Sequence, residues 1–142
     1  PLLPARLSAS PERLAEFEFL PADVVLVHAS LVVCHGGQGL VFEAMRQRIP
    51  VFVLPLQPEQ AQNGVCVERM GCGRRLQRGM VFTGHSNDVE ATFLARPAAR
   101  LAEEITTLLA DAQTPARIDL ASRQIGRYRG ATDLAAQLED NP

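Results

Sequence analysis

His35 is followed by glycines at 36, 37 and 39, Glu43 comes four residues after the last of them, and Glu59, Gln60 and Asn63 follow the next apolar run. Glycines admit positive φ and let a backbone approach a ligand closely, and a helix that starts there turns its free N–H groups and positive dipole end toward an anion. A phosphate suits "HGGQG". His35 adds a ring N–H, or a partial positive charge, to the same crevice. Glu43 sits about 6 Å further along a helix rising 1.5 Å per residue, where its carboxylate could accept from the vicinal hydroxyls of a ribose. Glu59 and Gln60 offer two acceptors and a donor pair for sugar hydroxyls, with Asn63 one turn on and on the same side. Each feature has a plainer reading. Glycines also make tight turns, a histidine after a strand can be structural, Glu43 could be a solvated helix face, and Glu59 and Gln60 are ordinary first-turn residues. Their joint placement at consecutive strand ends favours a site.

The elements that would position these residues alternate. "LVVC" at 31–34 reads as a short buried strand, 38–47 as a helix, "VFVLP" at 51–55 as a second strand, 59–70 as a second helix ended by Gly71 or Gly73, and "RRL" at 74–76 as a third strand. "SPERLAEF" could open a short helix before them. Beyond them the pattern is helical: 86–95 with Ser86 or Asn87 as its cap, a helix starting at Pro97 with Leu101, Ile105, Leu108 and Leu109 on one stripe, and amphipathic segments after Thr114-Pro115 and after Gly130. Strand and helix alternation with short connections gives an α/β class, a Rossmann-like parallel sheet with flanking helices and a helical C-terminal segment. Two or three strands are fewer than a doubly wound sheet uses, so either further strands lie in the first thirty residues or the chain is part of a larger fold, with a sheet incomplete at its N-terminal side.

At 142 residues one domain is expected, divided into an N-terminal segment (1–18), an α/β core carrying the motif (19–84) and a helical part (85–142). A formal charge of −2 and 46% hydrophobic residues exclude a disordered tail and give no basic footprint for nucleic acid. No apolar run is long enough for a transmembrane segment. Three cysteines, 34, 66 and 72, without a C-x-x-C pair suggest neither disulfides nor a thiolate metal site; they read as small buried hydrophobes in a reducing compartment, and the chain as cytoplasmic.

The run "FLP" at 19–21, "HASLVVCHGGQG" at 28–39, "EAM" at 43–45, "IPVFVLP" at 49–55, "EQAQN" at 59–63 and "ERMGCG" at 68–73 resembles the C-terminal, donor-binding domain of GT-B fold glycosyltransferases of the UDP-glycosyltransferase and macrolide glycosyltransferase group. Order and spacing agree without a gap from about Phe19 to Leu76. The resemblance implies an inverting, metal-independent hexosyl transfer from a UDP-type nucleotide sugar, with no cofactor, to an acceptor hydroxyl. It implies that His35, Gly36, Gly37, Gln38 and Gly39 contact the donor diphosphate, Glu43 the ribose, Glu59 and Gln60 the transferred sugar, and Phe19 with Leu20 or Ala22 the base. It assigns no catalytic residue here: the general base belongs to an acceptor-binding N-terminal domain, expected in cis or in trans, and His28 and His85 are not promoted to that role. A sheet with a bare edge also implies self-association or docking. Four positions depart from the family pattern. Ala22 stands where many members have glutamine, Leu40 replaces a phosphate-facing hydroxyl, Arg48 replaces a turn glycine, and Glu59 is one methylene longer than the usual aspartate. The rival readings are a non-enzymatic nucleotide- or anion-binding module of the same fold, and a GT-B-related sugar-nucleotide epimerase.

Overall fold

A computed structural model of the chain describes residue 15 and residues 17–76 and 98–127. The expected segments at 10–17, 86–95 and beyond Gly130, the Pro97 helix start and His85 fall wholly or mostly outside the described residues. Three parallel strands, β1 (Val32–Cys34), β2 (Val51–Val53) and β3 (Gly73–Arg75), lie in the order β1-β2-β3. Val33 faces Phe52 and Phe52 faces Arg74 in register. Successive strands are joined by α2 (Gln38–Arg46) and α3 (Pro58–Arg69), preceded by α1 (Ala22–Leu26) and followed by α4 (Ala98–Ala110) and α5 (Thr114–Ile125).

Because strand side chains alternate between faces, β2 feeds two cores. Val51 and Val53 point to one face and pack with Val41, Ala44 and Met45 of α2, Val67 of α3, and Ile118 and Ala121 of α5. Phe52 points to the other and packs with Leu76 and with Leu108 of α4. All three β2 residues are fully buried, as befits a central parallel strand covered on both sides. On the α4 face Leu101 and Ile105 join the stripe, but Leu109 is 52% exposed. It lies about 100° around the helix from Leu108, beyond the sector that meets the sheet. The third strand begins one residue earlier than the apolar pattern suggests and excludes Leu76, whose N–H nevertheless donates to Val53 O.

Two helices stop in the same way. After α3, Gly71 at φ +67° donates to Glu68 O and Cys72 N–H to Val67 O, a Schellman cap. After α2, Arg48 N–H donates to Met45 O and Ile49 N–H to Ala44 O, with Arg48 at φ +63°. The arginine that departs from the family glycine thus occupies a left-handed position that costs a non-glycine residue about 1 kcal/mol or more. Its guanidinium Nε donates to Asp119 Oδ1 of α5 at 2.8 Å, and Ser122 Oγ of α5 donates to Arg46 O at 2.7 Å, so α5 closes the end of α2.

The cysteines divide. Cys72 is buried, and burial pushes its thiol up to about 11; Cys34 is half-buried and is raised for the same reason, partly offset by a hydrogen bond from the Gly36 backbone. Cys66 is exposed on α3, which corrects the expectation that all three are buried. Two residues after the preceding core position Gly64, it falls on the solvent side of the helix.

Gly73 is fixed by contact rather than by φ: a Cβ there would lie 1.9 Å from Val51 O, inside the sheet itself. Gly73→Ala therefore destabilises the chain by about 3 kcal/mol or more, since neither backbone can retreat. Gly126→Ala, where the nearest atom would be 3.4 Å away, leaves stability unchanged or raises it by up to about 1 kcal/mol. Urea unfolding midpoints of the two variants separate these outcomes.

Candidate functional site

Parallel pairing of β1 and β2 brings the loop after each strand to the same edge of the sheet, and Leu54 N–H donating to Cys34 O at 2.7 Å carries the pairing to the base of the loops. At that edge Gly36 takes φ +92°, a conformation only glycine adopts readily, and a Cβ on it would stand 2.6 Å from Val53 Cγ1 and 3.0 Å from Gln60 O. The first glycine loop is thus seated directly on the start of α3. Gly37 supplies the N-cap of α2, and a Cβ there would lie 2.7 Å from His35 Nε2, so the ring lies over this residue. No side chain caps α2, and its first intrahelical bond is Val41 N–H to Gly37 O. The N–H groups of the first turn are left for an external acceptor.

Gly39 differs from its neighbours. Nothing lies within 4 Å of where its Cβ would be, and its φ is ordinary. No packing or backbone demand in the described chain calls for glycine there, although glycine costs a helix up to about 1 kcal/mol relative to alanine. The open space borders the uncapped first turn. A group could approach this backbone closely there.

The sequence-predicted residues fall into two sets. His35, Gly36, Gly37, Gln38 and Gly39 meet Glu59 and Gln60 at the shared edge, through the contact of Gly36 with Gln60. Gln60 Oε1 accepts from Leu56 N–H at 2.8 Å and so closes its own loop, while Glu59 is exposed in the first turn of α3. Glu43 is turned the other way. Arg46 Nε and Nη2 donate to its two oxygens at 3.0 and 2.7 Å, and Gln47 Nε2 adds a third bond at 2.7 Å. These bonds draw the carboxylate toward the C-terminal end of α2 and, with Arg46 the larger cause, hold its pKa below the ordinary value. An exposed pair of this kind is worth little, so a hydroxyl ligand can displace it. Leu40 packs against the core, so the residue standing in place of a phosphate-facing hydroxyl serves the fold. Phe19 is 81% exposed just ahead of Pro21, the cap of α1, and Ala22 is the exposed first residue of that helix.

Asn63 has a role that sequence reasoning missed. Its Nδ2 donates to Gly36 O at 2.9 Å, tying α3 to the glycine loop across 27 residues. Its one-turn spacing from Gln60 was the available signal, but pointed to a ligand rather than to the loop. Beside it an apolar groove of about 240 Å³ opens between α2 and α3, floored by Val41, Met45 and Val67. Among the described residues no group of three or more His, Cys, Asp or Glu side chains could hold a metal ion, and no helix is long and apolar enough to cross a membrane.

Solved structures share this architecture. The glycotransferase of kitacinnamycin superposes with a TM-score of 0.70 over 86% of this chain and 28% of its own, at 23% identity, and the spinosyn rhamnosyltransferase SpnG in complex with spinosyn aglycone with 0.71 over 95% of this chain and 33% of its own, at 25% identity. The fold is that of GT-B glycosyltransferases. Residues 5–95, more than half of the chain, match the family model described as UDP-glucoronosyl and UDP-glucosyl transferase, and the chain belongs to that family. Among curated relatives it is 26% identical to the NDP-glycosyltransferase YjiC of Bacillus licheniformis over 129 residues, covering 91% of this chain and 29% of that protein. It is 31% identical to the demethyllactenocin mycarosyltransferase of Streptomyces fradiae over 75 residues, 53% of this chain and 16% of that one. The chain spans less than a third of the length of these relatives.

Two outcomes follow from the geometry. Gly39→Ala leaves the thermal midpoint unchanged or higher, because the new methyl group meets nothing within 4 Å and alanine favours the helix over glycine. Thermal melts of the variant beside the wild type read it. Arg46→Ala returns the Glu43 titration toward the ordinary carboxylate value, seen by ¹³C NMR of the side-chain carboxyl against pH. Because its folded pKa is depressed, Glu43 contributes stability above its unfolded pKa and loses it as pH falls through the folded one, and this acid-side loss diminishes in Arg46→Ala.

Proposed function

We infer that this chain is the donor-binding part of an inverting, metal-independent glycosyltransferase that moves a hexose from a UDP-type nucleotide sugar to an acceptor hydroxyl. The observation that carries the reading is the seating of the Gly36 loop, which leads from His35 to the uncapped start of α2, on Gln60 in the first turn of α3, the turn that also carries Glu59. Family membership and the open space at Gly39 support it. In this reading the diphosphate lies on the first turn of α2 and His35, the ribose on Glu43 once Arg46 releases it, and the sugar on Glu59 and Gln60. Phe19 and Ala22 flank the base.

The acceptor oxygen, losing its proton to a base from the acceptor-binding domain in cis or in trans, attacks the anomeric carbon. The bond from that carbon to the β-phosphate oxygen breaks from the opposite side, and the nucleoside diphosphate leaves. Negative charge then grows on the β-phosphate, where the α2 N–H groups and the His35 ring N–H meet it. Donors already aimed at developing charge lower a barrier without reorganising, and losing one typically costs about 10²–10³ in rate.

Titration calorimetry with UDP, dTDP, GDP and their sugars tests the reading, repeated on His35→Ala and Glu43→Ala. UDP and UDP-sugars bind the wild type, and each variant binds at least tenfold more weakly, about 1.4 kcal/mol. A wild type that takes up no nucleotide, or variants that bind as well as it does, overturns the assignment.

A further inference from the structure

The hydrogen bond from Asn63 to Gly36 decides more than where the loop sits. A carbonyl oxygen can only accept, so the group facing it at 2.9 Å is the amide NH₂ of Asn63. In a planar trans peptide the C=O and the following N–H point in opposite directions. With Gly36 C=O drawn toward α3, the Gly37 N–H of the same peptide unit faces away from α3. Among the described residues it meets no acceptor, and it stands immediately before the uncapped first turn of α2.

This peptide unit joins two glycines, so it lacks the Cβ groups that ordinarily resist rotation about the flanking ψ and φ. Turned over, it would present a carbonyl oxygen where the other groups of the turn present hydrogens, and would repel an anion. The Gly36 N–H belongs to the preceding peptide unit and does not fix this one. Asn63 supplies what the backbone lacks.

We propose that Asn63 is a positioning residue that locks the Gly36–Gly37 peptide with its N–H outward, so that the loop is a diphosphate donor before any ligand arrives. It acts without touching the nucleotide. The inference rests on the donor-site reading above, and because Asn63 reaches the loop from the same helix that carries Glu59 and Gln60, it couples the phosphate and sugar subsites mechanically.

Amide chemical-shift titrations of the ¹⁵N-labelled full chain with UDP and with uridine, on wild type, Asn63→Ala and Asn63→Asp, test the lock. Both variants bind UDP at least tenfold more weakly while uridine, which has no phosphate, binds them as it binds the wild type. The Gly37 amide resonance shifts in both variants even without ligand. Asn63→Asp keeps the side-chain shape and replaces the donor with an acceptor, so it separates loss of the lock from loss of packing, and thermal melts report folding. UDP binding unchanged in both variants overturns the proposal, and so does an equal loss for UDP and uridine, which marks Asn63 as a general structural contact. A Gly37 amide that does not move in either variant likewise overturns it. A wild type that binds neither ligand instead overturns the donor-site reading.

Discussion

The parallel pairing of Val32–Cys34 with Val51–Val53 is the constraint on which the rest depends. Antiparallel pairing would send the two loops to opposite edges. Parallel pairing sends both to one, and requires a helix-length return between them, which α2 provides. The same helix that satisfies the chain's need to cross back thus begins at the shared edge and offers its N-terminus there. Site and connection are one piece of chain. The buried faces of β2 hold the pairing: Val51 and Val53 anchor one helical layer, Phe52 the other.

Closeness of approach is the second theme. Gly36 against the Val53 side chain and Gln60 O, and Gly73 against Val51 O, come nearer than a Cβ permits, and Gly64 packs tightly under the Arg75 side chain. These contacts draw α3 down onto β2 and β3, and Glu68 then reaches Arg75, accepting from its N–H at 3.2 Å and from Nε at 2.8 Å. The glycine loop is held by the same helix. Rigidity at the edge is therefore inherited from the sheet, and does not depend on the loop's own short stretch of backbone.

Much of this was legible in the residues. The apolar runs and their spacing located β1, β2 and the joining helices to within two residues, because short buried strands bounded by glycine and proline leave a clear pattern. "HGGQG" at a strand end marked the loop, and Arg48 stood out as the non-glycine in a turn. What escaped has physical reasons. β3 begins at Gly73, which has no side chain to contribute an apolar signal; its identity is dictated by a carbonyl 22 residues away in sequence. Asn63 faces a backbone oxygen, and no spacing rule distinguishes that from facing a ligand. The direction of Glu43 depends on which of its neighbours it pairs with, and sequence position alone places it correctly on α2 while leaving its carboxylate free to turn either way. Leu109 and Cys66 miss the core by a fraction of a helical turn, finer than composition resolves.

Arg48 joins two otherwise separate tasks. A glycine in its place would end α2 with less strain, but would carry no side chain to reach Asp119. The chain accepts a locally poor conformation for a contact with a helix that enters the sequence some seventy residues later. The end of α2 is thus braced by α5, so the helix whose start is the candidate site has its far terminus held by a remote part of the chain. Loosening of α5 would be felt first as slack in the axis of α2, at the end opposite the glycine loop.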